Sequence, residues 1–129
     1  MKTQYTVPLA IVVGIGLGAC AVEGIHARVK PPVYVIAEVE VTNPEAYAKE
    51  YVPPAQAATK AASGRILAQG GKVTALDGPP PKARVIVQVW DGIEKVQAWR
   101  DSKEFKEARK IGEKYAKFRA YAVEGVPPQ

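Results

Sequence analysis

Nine consecutive residues, Val33-Tyr34-Val35-Ile36-Ala37-Glu38-Val39-Glu40-Val41, place a small apolar side chain at every odd position. β-Branched residues at this density favour extended backbone, and the period of two sends alternate side chains to opposite faces of a sheet. The odd face is uniformly apolar. The even face, Tyr34, Ile36, Glu38 and Glu40, starts apolar and ends charged. A strand with this pattern must bury one side, so the residues that follow have to supply a covering layer.

They do so with helices. Asn43 can cap a helix, Pro44 suits its first position and Glu45 complements the dipole. Apolar positions then recur at Tyr47, Tyr51, Ala55, Ala58 and Ala62. Pro53-Pro54 interrupts this stripe, because a proline inside a helix removes a hydrogen bond and clashes with the preceding turn. The pattern predicts a kinked helix, or two short ones, ending at Ser63-Gly64. Arg65 to Gln69 reads as a short strand, Gly70-Gly71 as a turn or bulge, and Val73 to Asp77 as a second strand segment. Gly78-Pro79-Pro80-Pro81-Lys82 is a stiff loop. Arg84 to Trp90 is the next strand, with Val85, Val87 and Val89 on one face and Arg84, Ile86, Gln88 and Trp90 on the other.

Asp91 or Gly92 opens a helical stretch carrying Ile93, Val96 and Trp99. Ser102 re-caps it, and the stripe Phe105, Ala108, Gly112, Tyr115 follows, small enough in places to approach a sheet closely. Phe118 to Glu124 closes the domain as a last strand, and residues 126–129 form a tail. The order β-α-β-β-α-β is that of an α+β, ferredoxin-like sandwich, a four-stranded antiparallel sheet with both helices on one face. The expected domain spans residues 33–125.

Residues 1–27 are of a different kind. Lys2 precedes an uncharged apolar run from Val7 to Val22, too short and too glycine-rich to span a bilayer well, and Ile25-His26-Ala27 ends in a small residue. This is the layout of a secretory signal cut after Ala27, with residues 28–32 a linker. Two other readings stay open: acylation at Cys20 within Leu17-Gly18-Ala19-Cys20, or retention of the segment as an anchor. All three place the domain outside the cytoplasm, and the last two alone put it on a membrane.

The single cysteine, Cys20, and the single histidine, His26, both lie in that segment. The domain beyond it therefore has no disulfide, no thiolate nucleophile, no Ser/His/Asp relay, no His/Cys metal cage and no histidine-ligated haem. Neither a metal nor a cofactor is expected. Residues 100–119 hold eight Lys and Arg against four Asp and Glu, with Lys103, Lys106, Lys110, Lys114 and Lys117 on one helix side. Interspersed glutamates, and strands without a ribonucleoprotein aromatic motif, favour a solvated face over a nucleic-acid surface.

The candidate ligand-lining residues are Tyr34, Glu38, Arg84, Trp90, Trp99, Ser102 and Arg109. Glu38 and Arg84 are expected to meet across neighbouring strands. Arg109 interrupts an apolar helix face, and an arginine turned inward there needs a carboxylate or a ligand anion unless it snorkels to the surface. Trp90 and Trp99 read first as core or interface aromatics, and Ser102 first as a cap.

An ordered set of segments then carries a resemblance. Tyr34-Val35-Ile36-Ala37-Glu38, Asn43-Pro44-Glu45-Ala46-Tyr47 and Tyr51-Val52-Pro53 are followed by Gly64-Arg65-Ile66-Leu67-Ala68-Gln69-Gly70-Gly71. Ala98-Trp99 with Ser102, Arg109 and Val123-Glu124-Gly125 complete it. This set resembles the domain-of-unknown-function family 1330, of the dimeric α+β barrel superfamily, over nearly all of residues 33–125. The resemblance implies a ferredoxin-like subunit dimerising through its sheet, with no established activity. Ser63 stands where a second glycine is common, Val89 where many members have Glu, and Lys103-Glu104-Phe105 where Pro-Glu-Tyr is usual.

The reading that follows is an exported homodimer binding a small organic or anionic ligand, or a partner, in a sheet-lined cavity. A cofactor-independent isomerase or monooxygenase, by superfamily analogy, and an envelope interaction protein without a ligand are the alternatives. The dimer face is expected to carry Tyr34, Ile36, Ile86 and Trp90 with Glu38, Arg84 and Gln88, so that Ile86→Asp breaks it. Intact mass spectrometry of fractionated cells should find a product starting near Arg28. A diacylated species starting at Cys20 would select the lipoprotein reading, and cytoplasmic full-length protein would refute export.

Overall fold

The computed structural model describes residues 30–128, and Pro31–Val126 form one compact unit. The signal, lipidation and anchor readings fall on residues 1–27, outside those described. Among the described residues no helix is long and apolar enough to cross a membrane.

Strands β1 (Val33–Val41), β2 (Arg65–Gln69), β3 (Arg84–Trp90) and β4 (Ala116–Glu124) form an antiparallel sheet in the order β2-β3-β1-β4. The first crossover consists of α1 (Pro44–Ala46), a π-helical turn (Tyr47–Tyr51) and α2 (Val52–Ala61). The second consists of α3 (Ile93–Asp101) and α4 (Lys103–Gly112). This is the ferredoxin-like α+β architecture, with β1 central and paired along its length to β4 and β3.

The caps expected from the sequence form. The Asn43 side chain accepts from the Ala46 N–H at 3.2 Å, and Ser102 Oγ accepts from the Phe105 N–H at 3.2 Å while donating to the Trp99 carbonyl at 2.7 Å. The Pro53-Pro54 interruption takes the form of the π turn, in which the Val52 N–H reaches back to the Tyr47 carbonyl. The wider turn gives the rings room and puts both prolines at the start of α2, where a missing N–H costs little.

The first crossover ends in a Schellman arrangement: the Gly64 N–H bonds the Thr59 carbonyl at 3.0 Å while Ser63 takes φ 70°. That left-handed position favours glycine.

Three expectations need correction. Val73 to Asp77 is not a strand. The Gly70 N–H bonds the Val85 carbonyl, Gly70 turns at φ 64°, and β3 begins at Arg84, so nothing remains on β3 for a longer β2 to pair with. Of the turn and the bulge read at Gly70-Gly71 only the turn forms there; the bulge lies at Leu67, between the Ile66 and Ala68 pairings. The basic residues do not share one helix side either: α4 stops at Gly112, Lys114 lies in the turn, and Lys117 sits on β4 opposite Glu40.

A fourth correction decides the site. Val33 pairs with Trp90, Val35 with Gln88, Ala37 with Ile86 and Val39 with Arg84. Directly opposed residues share a face. Arg84, Ile86, Gln88 and Trp90 therefore join the odd β1 residues beneath the helices, and Val85, Val87 and Val89 join Tyr34 and Ile36 on the open face. Val33, Val35, Trp90, Val96, Trp99 and Phe105 make one buried cluster, and Val39, Tyr47 and Ala116 anchor a second with Ile86 and Phe118 against it.

Two glycine-dependent positions test this packing. A Cβ at Gly64 would clash with the buried Trp90 ring, so Gly64→Ala should cost about 1–3 kcal/mol, in the range of core overpacking. Ser63→Gly should stabilise by about 1 kcal/mol by relieving the left-handed strain. Urea unfolding of the two variants checks both signs.

Candidate functional site

Between the helices and the sheet lie a narrow cavity and an open groove, and the Trp99 indole is a wall of both. The cavity holds about 50 Å³ and is lined by Tyr47, Tyr51, Gln56, Ile86, Gln88 and Trp99 among others. Room for a water needs roughly 10–15 Å³ on this measure, so the cavity accepts a few waters or one small polar group. The groove, about 190 Å³, runs along the helix side of the edge strand and is lined by Val35, Val96, Trp99, Arg100, Ala120, Tyr121 and Ala122. It exists because β4 offers alanines there, and α3 leaves them uncovered.

Rings and guanidinium groups connect the two. Trp90 and Trp99 lie 4.8 Å apart between ring centroids, and Trp99 and Phe105 meet edge-on at 4.8 Å. The Arg109 Cζ lies 4.9 Å from the Phe105 ring and 3.9 Å from that of Phe118. Phe118 packs on Tyr51 at 5.3 Å, and Tyr51 on Tyr47 at 5.1 Å. Arg84 stands over Tyr47 at 5.5 Å, at the far end.

Burial pushes the Tyr51 hydroxyl above the ordinary tyrosine range, and the adjoining Arg109 guanidinium pulls against it. Burial also raises Tyr47, with Tyr51 adding to the shift. Arg100 is lowered, first by burial and then by the charge of Arg109. Arg100 remains a cation at neutral pH.

The polar groups here are unevenly satisfied. Trp90 Nε1 donates to Gln88 Oε1 at 3.0 Å, both residues being buried. By contrast, Trp99 Nε1 and Arg109 Nε are buried with no hydrogen-bond partner.

The corrected face divides the sequence-derived candidates. Trp90, Trp99 and Arg109 come together at the helix–sheet interface, with Ser102 beside them as the cap that joins α3 to α4. Arg84 shares that face but lies exposed at its other end. Tyr34 and Glu38 are on the opposite side of the sheet, so the expected convergence of Tyr34, Glu38, Arg84 and Arg109 does not occur. Glu38 pairs with Arg119 on β4 rather than with Arg84. A depression of about 230 Å³ near it contains Glu38, Glu40, Lys82, Lys117 and Arg119, whose charges largely compensate one another.

Sequence reasoning passed over Tyr51 and Arg100, and placed Gln88 on the opposite face of the sheet. The signal for Tyr51 was its spacing of four from Tyr47, read as core, and Arg100 was absorbed into the basic run. Among the described residues no group of three or more His, Cys, Asp or Glu is placed to hold a metal ion.

Solved structures share the fold. A protein of unknown function from Rhodopseudomonas palustris aligns with TM-score 0.62 and 17% identity, over 77% of this chain and 85% of that one. A candidate antibiotic biosynthesis monooxygenase from Caulobacter crescentus CB15 aligns with TM-score 0.53 and 14% identity, over 76% and 92%. A protein from Bacteroides fragilis NCTC 9343, described as dimeric and ferredoxin-like, aligns with TM-score 0.50 and 14% identity, over 72% and 95%. No protein with a curated description matches the chain. The model of one family, the domain of unknown function DUF1330, matches residues 32–126, and the chain belongs to that family.

Proposed function

We propose that this domain acts outside the cytoplasm as a homodimer and binds a small organic molecule between its helices and its sheet. The observation that carries the reading is Trp99, a wall common to cavity and groove whose N–H is buried without an acceptor. Leaving such a donor unmade costs about 1–3 kcal/mol, and a ligand oxygen placed there recovers it. Export rests on the apolar, glycine-rich segment before Arg28.

Binding is favoured over acid–base catalysis by the lining itself. Neither the cavity nor the groove is walled by a carboxylate or a histidine. Tyr51, with its pKa raised by burial, stays protonated at neutral pH and serves as a hydrogen-bond donor rather than a base. The second reading, a cofactor-independent isomerase or monooxygenase, draws on the fold shared with the Caulobacter protein and would use Tyr51 as its acid.

The dimer reading rests on the open sheet face. Tyr34, Ile36, Val85 and Val87 lie there half-buried, Val89 is buried, and Tyr121 and Val123 continue the face at 44% and 48% exposure. An apolar patch of this kind is what a two-fold partner covers.

Two outcomes test the proposal. Val87→Asp should give a monomer with unchanged circular dichroism, whereas Ile86→Asp, beneath the helices, should unfold the domain. Light scattering that finds a dimeric Val87→Asp protein would place the interface elsewhere. In native mass spectra the gently purified protein should carry a small-molecule adduct. Trp99→Phe, which keeps a ring but loses the donor, should lower its affinity about tenfold, the equivalent of about 1.4 kcal/mol. Equal adduct occupancy in both proteins would refute a role for the indole N–H.

A further inference from the structure

We infer that Arg109 and Arg100 together receive the acidic group of the ligand, which makes the groove a site for a small organic carboxylate with a flat apolar body. The inference rests on the ligand-binding reading above and specifies its chemistry.

Arg109 is held in an unusual way. Its guanidinium lies 3.9 Å from the Phe118 ring and 4.9 Å from that of Phe105, packed against aromatic surface rather than a counter-charge. Stacking of this kind leaves the N–H fork in the guanidinium plane as the route by which it binds a partner. The Nε of that fork is buried and unbonded, and the Tyr51 hydroxyl stands beside the guanidinium. Arg100 approaches the same Phe105 ring at 4.5 Å and, exposed, lines the groove.

Two cations therefore flank one ring. Neither is in a salt bridge, although the described residues form such pairs elsewhere, between Lys103 and Glu107 and between Arg119 and Glu38. Burial lowers Arg100, and the charge of Arg109 lowers it further. Concentrating like charge in a partly buried place is costly unless an anion joins it.

The groove fixes what kind of anion. A guanidinium fork matches a planar carboxylate through two parallel hydrogen bonds. The remaining walls, Val35, Val96, Ala120 and Ala122, are apolar, and Trp99 adds a flat face whose N–H is buried and unbonded. Arg109 is not itself a wall of the groove; Phe118, which carries it, lies in the same β4 row as Ala120 and Ala122, just beyond the end of this apolar strip. At about 190 Å³ the groove is smaller than the roughly 300–1,000 Å³ typical of drug-sized sites, which points to a molecule with a single ring.

Calorimetry at low salt with benzoate, its neutral isostere benzamide, and inorganic phosphate tests the assignment. Wild-type protein should bind benzoate at least tenfold more tightly than benzamide, and phosphate should compete weakly. Arg109→Met should abolish the preference for benzoate while leaving benzamide binding and the melting temperature intact. It keeps contact with Phe118 and removes an unpaired buried N–H. Arg109→Lys, which keeps charge but not the fork, should restore only part of the preference. Arg100→Gln should weaken benzoate binding and flatten its salt dependence, and Lys103→Gln should change nothing.

Equal affinity of the wild type for benzoate and benzamide overturns the acidic class and leaves the ligand-binding reading standing. Phosphate competing as strongly as benzoate binds reduces the pair to a general anion trap and overturns the organic class. Binding of neither probe overturns the inference, and the adduct in native mass spectra then decides separately whether a ligand binds at all.

Discussion

The helix layer is joined to the sheet through an unbroken line of rings and guanidinium groups: Trp90, Trp99, Phe105, Arg109, Phe118, Tyr51, Tyr47 and Arg84, each packed on the next. Everything else depends on it. Burying a large aromatic side chain removes 150–250 Å² from water, far more than the valines and alanines of the sheet supply individually. The line runs diagonally from the Trp90 end of the sheet to the Arg84 end, through both crossovers. The pairing of Val33 with Trp90 sets it up, since a shift of one residue would turn Trp90, Gln88, Ile86 and Arg84 to the other face.

This line has polar members at its centre, and that shapes the energetics. An all-aliphatic interface would be drier and more stable, because a half-buried cation and an unbonded indole N–H both count against the folded state. The fold accommodates them through stacking on Phe105 and Phe118 and through proximity to Tyr51. Where the protein has no such polar load, its packing is tight enough to exclude even a methyl group, as at Gly64 against Trp90. The looseness is therefore local. It coincides with the cavity and the groove.

Much of the fold could be read from the chain because its punctuation is strong. Asn43-Pro44 and Ser102 mark helix starts by their own chemistry, and the β-branched runs mark β1 and β3 to the residue. The phase of β3 could not be read in the same way. Val85, Val87 and Val89 look as buried as Ile86 and Trp90, and a strand apolar on both faces carries no information about which face turns inward. Pairing with β1 settles the matter, and pairing is a long-range property.

The same ambiguity scattered the candidate site: Glu38 and Arg84 looked like partners only under the wrong phase. Arg109 was legible as an oddity on an apolar helix face. Its neighbours Tyr51 and Arg100 belong to different crossovers, and only tertiary packing brings them together. The false strand at Val73 to Asp77 arose because β propensity takes no account of whether a partner strand is within reach.

The contact between Trp90 and Trp99 has one further consequence. These are the only two tryptophans in the chain, one on β3 and one on α3, with ring centroids 4.8 Å apart and planes inclined at 35°. Transition dipoles that close and that oblique couple, so the far-ultraviolet circular dichroism should contain an exciton couplet from this pair. The couplet vanishes if α3 lifts from the sheet even while every helix and strand stays intact. The chain thus carries its own optical gauge of whether its two layers are docked, free of any added label.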